Sequence, residues 1–103
     1  MTEKKAIDLF NRLYGTDLKT RLDKLKEEMI ELLDEIDIYN EKGTQIGFIK
    51  NKNDKNKRLI DEVSDVLAVL IHTASILNLS IDELLRLAID KCEKRQINPN
   101  YKR

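Results

Sequence analysis

The stretch that decides the fold is 59-LIDEVSDVLAVLIHTASILNL-79, which contains neither glycine nor proline and is long enough for several helical turns. At about 100° per residue, Leu59, Val63, Val66, Leu70, Ala74 and Leu77 form one stripe, and Glu62, Asp65, Val69, His72 and Ile76 form another. The second stripe is the informative one. Val69 and Ile76 imply burial, so two acids one turn apart begin on a face that then enters the core. Burying an ion without a partner costs several kcal/mol, and something positive should meet this pair. The plainer alternative is that Glu62 and Asp65 sit at the solvated start of the helix and favour its dipole.

Upstream, a helix beginning at Asp17 or Thr20 carries Leu22, Leu25, Met29, Leu32, Ile36 and Tyr39 at alternating steps of three and four, a seam for packing on another helix. Most of the acid around it reads as solvated surface. Glu28 and Glu31 differ by position, because they flank the seam one turn apart. Gly43 is expected to end this helix. The segment Lys42 to Lys57 breaks the periodicity, GFI at 47–49 reads as a short extended piece, and Lys50 to Lys57 reads as a mobile loop; a solvated connector is the better reading of it, with lysines that reach a polyphosphate as the alternative.

At the N-terminus, Thr2 can cap a short helix with Ile7, Phe10 and Tyr14 on one face and Gly15 as its stop. Core packing is the better reading of the two aromatics, with stacking on a base as the alternative. Beyond the central helix, Ser80-Ile-Asp-Glu83 is a capping box that opens a fourth helix running to about Arg95, before Asn98 and Pro99. The expected architecture is all-α: one four-helix, bundle-like domain over residues 1–103, with the second and third helices as its long antiparallel pair.

Composition narrows the function. The 103 residues include 19 basic and 19 acidic side chains, a balance that argues against a general nucleic-acid binder. Cys92 is the only cysteine, which excludes an intramolecular disulfide or a cysteine-rich zinc site; a buried structural thiol is expected of it. The opening MTEKKAIDLFNRLYG has no apolar signal core, and the longest apolar run, Val66 to Ile71, is far short of the ~20 residues that span a bilayer. A soluble cytoplasmic protein without membrane partners is the expectation.

Glu28-x-x-Glu31 and Glu62-x-x-Asp65 each place two oxygen ligands on adjacent turns of one helix edge. In a simple hairpin the pairs are offset by two or three turns, so they meet only if the loop shifts one helix or a bent or longer first segment realigns them. Four carboxylates with no thiol and one imidazole select a hard cation, Mg²⁺ or Mn²⁺. A di-iron bundle would want Glu-x-x-His, and the residue three before His72 is Val69.

From about Leu22 to Lys94, through KLKEEMIELLDEI and LIDEVSDVLAVLIHTA, the chain resembles the MazG-like, all-α nucleoside triphosphate pyrophosphohydrolases. The resemblance implies that Glu28, Glu31, Glu62 and Asp65 hold Mg²⁺ and that a nucleoside triphosphate is split between its α- and β-phosphates. Glu31 or Glu35 would take the water's proton, and Lys91, followed by Lys94 and Arg95, would grip the phosphates. It also implies a homodimer or a dimer of dimers, which suits the apolar stripes that two short flanking helices do not cover. The closing KCEKRQINPNYKR follows the family's pattern only loosely, and the connector between the acid pairs is longer than in many members. His72 is expected to be a hydrogen-bonded core or interface residue. Two competing readings are a non-catalytic helical interaction module and a metal-dependent hydrolase of another phosphorylated small molecule.

Overall fold

Three of the helices begin where their capping chemistry sits. In the computed structural model, which describes residues 2–41 and 52–97, four helices run α1 Glu3–Tyr14, α2 Leu18–Asn40, α3 Lys52–Ile76 and α4 Ile81–Ile97, with no strand among the described residues. Thr2 Oγ1 accepts the Lys5 N–H at 3.3 Å, and Asp17 accepts the Thr20 N–H at 3.0 Å together with the Thr20 hydroxyl. Those bonds hold the Asp17 carboxyl below its usual range. The capping box forms reciprocally: the Ser80 N–H donates to Glu83 at 3.3 Å and the Glu83 N–H to Ser80 Oγ at 3.2 Å.

The stops are equally local. Gly15 has a φ of 76°, which lets the chain turn sharply between α1 and α2 while its N–H donates to the Asn11 carbonyl at 2.9 Å. At the end of α3, Asn78 takes a left-handed φ of 62°, and the Asn78 and Leu79 N–H groups donate back to Ser75 and Ala74. This is a Schellman stop with Asn in the place usually held by Gly. The Glu41 N–H closes α2 on the Asp37 carbonyl, so the helix ends just ahead of Gly43. Gly43, the GFI piece, Asn98 and Pro99 lie outside the described residues.

One expectation is overturned. Lys52 to Lys57, read as loop because nothing apolar recurs there, forms the first turns of α3. The apolar part of the helix supplies the nucleus, and extending a formed helix by further turns costs little. The extension realigns the acids: Glu62 stands ten residues past the start of α3 at Lys52, and Glu28 stands twelve residues before the end of α2 at Asn40. The pairs are therefore nearly level, through the longer first segment that the offset demanded.

The helices α2 and α3 pack along their length and antiparallel, as Arg58 meeting Glu35, and Glu62 and Asp65 meeting Glu28, require. Their seam keeps Leu25, Leu32 and Tyr39 of the apolar row on α2, but between them it passes through Arg21, Glu28 and Glu35, one position before Leu22, Met29 and Ile36, and the buried residues of α2 are those three charged ones. The seam of α3 is the stripe that carries Glu62, Asp65, Val69 and His72. Among the described residues the buried apolar side chains are Val69 and Ala74.

Helix α1 packs on α3 through Phe10 and Asn11, which contact His72. The chain bends by 102° between α3 and α4, and the Ile81 N–H at the start of α4 donates to Glu3 of α1 at 3.4 Å. Most of α4 stays exposed, including Leu85, Leu87 and Ile89. Cys92 is exposed too, contrary to the buried thiol expected of it, because no described element covers that part of α4. No single helix is long and apolar enough to cross a membrane.

Candidate metal centre and adjoining pocket

The α2–α3 seam is a ladder of polar layers seven residues apart: Glu35 with Arg58, Glu28 with Asp65, and Arg21 near His72. Seven residues are two helical turns, or about 10 Å between layers.

In the middle layer, Glu28, Glu62 and Asp65 each bring one carboxylate oxygen within 4.8 Å of the others. Glu28 is buried, at 7% exposure, and the Oε2 atoms of both Glu28 and Glu62 are buried without a hydrogen-bond partner. Burial raises the Glu62 carboxyl above its ordinary value, and the nearby charges of Asp65, Glu28 and Glu35 push it further in the same direction. One cation stands at the edge: Lys24 Nζ lies 3.1 Å from Glu28 Oε1. That bond in turn raises the Lys24 ammonium.

Three converging carboxylates, two of them with orphaned buried oxygens, fit a hard divalent cation. The other possible ligands are elsewhere. Cys92 is on α4, and the Nε2–H of His72 donates to Asn11 Oδ1 at 2.8 Å. Glu31 is exposed one turn beyond Glu28, and its carboxyl is raised first by the charge of Glu28, then by a hydrogen bond with it, with a smaller contribution from Glu62. It borders the cluster without being one of the three converging acids.

Glu35 is committed differently. Arg58 donates to both of its oxygens, Nε at 3.0 Å from Oε1 and Nη2 at 3.3 Å from Oε2, a two-point pair in a buried setting.

A cavity of about 270 Å³ opens beside the acids, lined by Glu28, Asp65, Ala68 and Val69. Its other walls are Phe10, Tyr14, Arg21 and Lys24. Tyr14 is 53% exposed, so it is a pocket wall and not the core residue expected from helical spacing. Arg21 is only 5% exposed; its guanidinium carbon sits 4.6 Å from the Tyr14 ring centroid, and Nε has no hydrogen-bond partner. His72, fully buried, backs this wall with Phe10 at 5.7 Å and Tyr14 at 6.5 Å between ring centroids. Burial, with the Arg21 charge behind it, lowers the His72 pKa, so the imidazole is the neutral hydrogen-bonded core residue that was expected.

Lys91, Lys94 and Arg95 do not line this cavity. Lys91 and Lys94 are exposed on α4, and Arg95 is half-buried with its Nε unpartnered. Sequence reasoning missed Arg21, Lys24, Arg58 and Asn11. The signal for Arg21 was present: Arg21, Glu28 and Glu35 recur every seven residues on one face of α2, in register with Arg58, Asp65 and His72 on α3.

The family model for the MazG nucleotide pyrophosphohydrolase domain matches residues 16–99, from the cap of α2 to just beyond α4. No match is found among curated proteins or solved structures. The matched span contains both acid pairs and the whole α2–α3 ladder, and the chain belongs to the MazG nucleotide pyrophosphohydrolase domain family.

Proposed function

We propose that the protein is a Mg²⁺-dependent nucleoside triphosphate pyrophosphohydrolase, active also with Mn²⁺, that cleaves between the α- and β-phosphates and releases a nucleoside monophosphate and pyrophosphate. The observation that carries the reading is the meeting of Glu28, Glu62 and Asp65, with two orphaned oxygens, beside a pocket walled by aromatic and cationic side chains. A bound Mg²⁺ would neutralise the polyphosphate, lower the pKa of an attacking water and stabilise the departing pyrophosphate.

The chain's own residues do the rest. Glu28, Glu62 and Asp65 hold the cation, and Glu31 completes the set from the edge. Glu31 is also the better proton acceptor of the two acids considered, because its carboxyl is raised and exposed, whereas both Glu35 oxygens are engaged by Arg58. Lys24, already on Glu28, is placed to turn to a phosphate oxygen when a cation takes over that carboxylate. Lys91, Lys94 and Arg95 are the cations left for the leaving pyrophosphate, reaching it from α4 of the same or a neighbouring protomer. We take residues 1–103 as one functional unit and the cytoplasm, where its substrates are, as its compartment.

Self-association belongs to the same reading. The α2–α3 seam is largely polar, while Ile60, Val63, Leu67, Leu70 and Leu77 recur at heptad spacing on the outside of α3, and Met29, Ile30 and Leu33 are exposed on α2. An apolar seam facing outward is a packing surface for further helices, and a second or fourth copy would cover it. Sedimentation at micromolar concentration should give a dimer or tetramer, and Leu67→Glu should shift it to monomer. A strictly monomeric, active wild type would contradict the assembly.

The hydrolase reading is tested by incubating the four common nucleoside triphosphates with the protein and Mg²⁺ and identifying products. Monophosphate plus pyrophosphate is expected. Diphosphate plus phosphate, or no turnover of any triphosphate, would overturn it.

A further inference from the structure

The cavity has a charge pattern that the acid cluster does not explain. Arg21 is only 5% exposed, it lines the cavity, and its Nε is buried without a hydrogen-bond partner. Its contacts are the Tyr14 face and a buried, neutral His72. A guanidinium carries five N–H donors and no acceptor, and leaving one of them buried without an acceptor is unfavourable unless a ligand supplies it. The layer below the acid cluster therefore holds a donor in need of an acceptor.

Distance selects which part of a nucleotide arrives there. Arg21 precedes Glu28 by seven residues on one helix face, so it lies about 10 Å along the axis from the acids. Lys24 is one turn nearer to Glu28 and takes the phosphate side. With the phosphates at the acids, the far end of the cavity receives the nucleoside, between Phe10 and Tyr14 and within reach of Arg21.

We infer that Arg21 reads the nucleobase, and that the site takes bases presenting two adjacent acceptors, guanine and cytosine, ahead of adenine. The inference rests on the hydrolase reading for where the phosphates sit. The forked donors of Arg21 match guanine O6 and N7, or cytosine O2 and N3. Adenine sets its N6 amino donor beside either ring acceptor, so one arm of the fork meets another donor. Uracil separates its two carbonyls by an N–H and offers single acceptors only. Tyr14 holds the guanidinium plane from one side, so the fork is pre-oriented and little is lost in ordering it.

The test has two arms. Binding of guanosine, cytidine, uridine and adenosine is followed without metal by NMR, on the Tyr14 ring and Arg21 side-chain signals, and kcat/KM is measured for the four triphosphates with Mg²⁺. Guanosine and cytidine should bind roughly ten-fold tighter than adenosine, with the same order in kcat/KM. Arg21→Lys keeps the charge over Tyr14 and loses the fork, so it should level the four affinities while the melting temperature stays close to wild type. Equal wild-type binding of all four nucleosides, or none at all, overturns the inference without recourse to any variant. Hydrolysis of all four triphosphates at equal efficiency also overturns it and leaves the hydrolase intact. Turnover of none, with guanosine and cytidine still bound ahead of adenosine, overturns the hydrolase and leaves the base site standing.

Discussion

Glu28 and Glu35 are the same residue type on the same face of the same helix, seven residues apart, and they are buried almost equally at 7% and 8% exposure. Their surroundings are opposite. Glu35 has Arg58 on both oxygens, whereas Glu28 faces Glu62 and Asp65 and has a single lysine at its edge. The burial of an acid therefore says little about function, because a buried acid with a matched cation is a structural pair. What marks the middle layer is an acid cluster without enough positive charge to balance it, which is unfavourable for folding and retained where a cation is to be bound.

The largest expected effect separates the two layers by activity. Glu62→Gln or Asp65→Asn removes a charged ligand with little change of size and should lower kcat about 10²- to 10³-fold, the scale for losing one group that stabilises developing charge. Circular dichroism should show unchanged helix content. Retained activity in both variants would end the assignment of these acids as ligands. Arg58→Met strikes the other layer and leaves Glu35 buried beside a methyl group. Breaking a fully buried pair costs 3–5 kcal/mol; the Arg58 side chain is 37% exposed, so a loss of about 2 kcal/mol is expected. Urea unfolding measures it, and the double change with Glu35→Met should recover most of the loss. If Arg58→Met lowers activity far more than stability, the two layers are not separate.

A smaller effect distinguishes the layers by pH. The folded protein holds the Glu62 proton to a higher pH than the unfolded chain, whose value is near 4.5. This contribution to stability is complete below pH 4.5 and is lost as pH rises through the folded value. Mg²⁺ should reverse the loss, since it binds the deprotonated carboxylates and stabilises the fold by mass action. Melting temperature against pH, with and without Mg²⁺, checks this by comparison with Glu62→Gln, which should remove the metal-free decline and most of the Mg²⁺ response. Parallel curves for the two proteins would show that Glu62 is not where proton and cation compete.

The same contrast explains what the sequence made legible. The stripe of Glu62, Asp65, Val69, His72 and Ile76 could be read directly, because acids leading into Val69 and Ile76 at one helical phase admit few placements. The pair Glu62 and Asp65 followed from it, and the family from that pair together with Glu28 and Glu31 beside the α2 row. On α2 the apolar row through Leu22 and Met29 was taken for the packing seam, yet both are exposed and the seam passes through the charged residues beside them. Periodicity locates an apolar face, but it does not say whether that face meets this chain or another copy. The start of α3 was hidden for a related reason: Lys52 to Lys57 carries no apolar pattern, and its helicity is inherited from the residues that follow. Arg58 was overlooked because it follows directly on that supposed loop, and Arg21 because a basic residue near a helix start reads as surface.

The smallest prediction concerns the bottom layer, where His72 is buried without charge. The folded protein lowers its pKa by burial and by the Arg21 charge, so the unfolded chain takes up a proton near pH 6.5 while the folded one resists it. Stability from this group is complete above pH 6.5 and declines as pH falls below it, the reverse of the Glu62 trend. The hydrogen bond to Asn11 at 2.8 Å ties α1 to α3, and Asn11→Ala should cost about 1 kcal/mol by leaving a fully buried N–H without an acceptor. The loss should fall on α1 first, since that helix has no fully buried residue of its own. Amide exchange over Ala6 to Tyr14 should therefore speed up more than exchange along the α2–α3 seam. Uniform acceleration across all three helices would mean that α1 and the ladder open together, and that the pocket wall made by Phe10 and Tyr14 is as firmly fixed as the metal centre beside it.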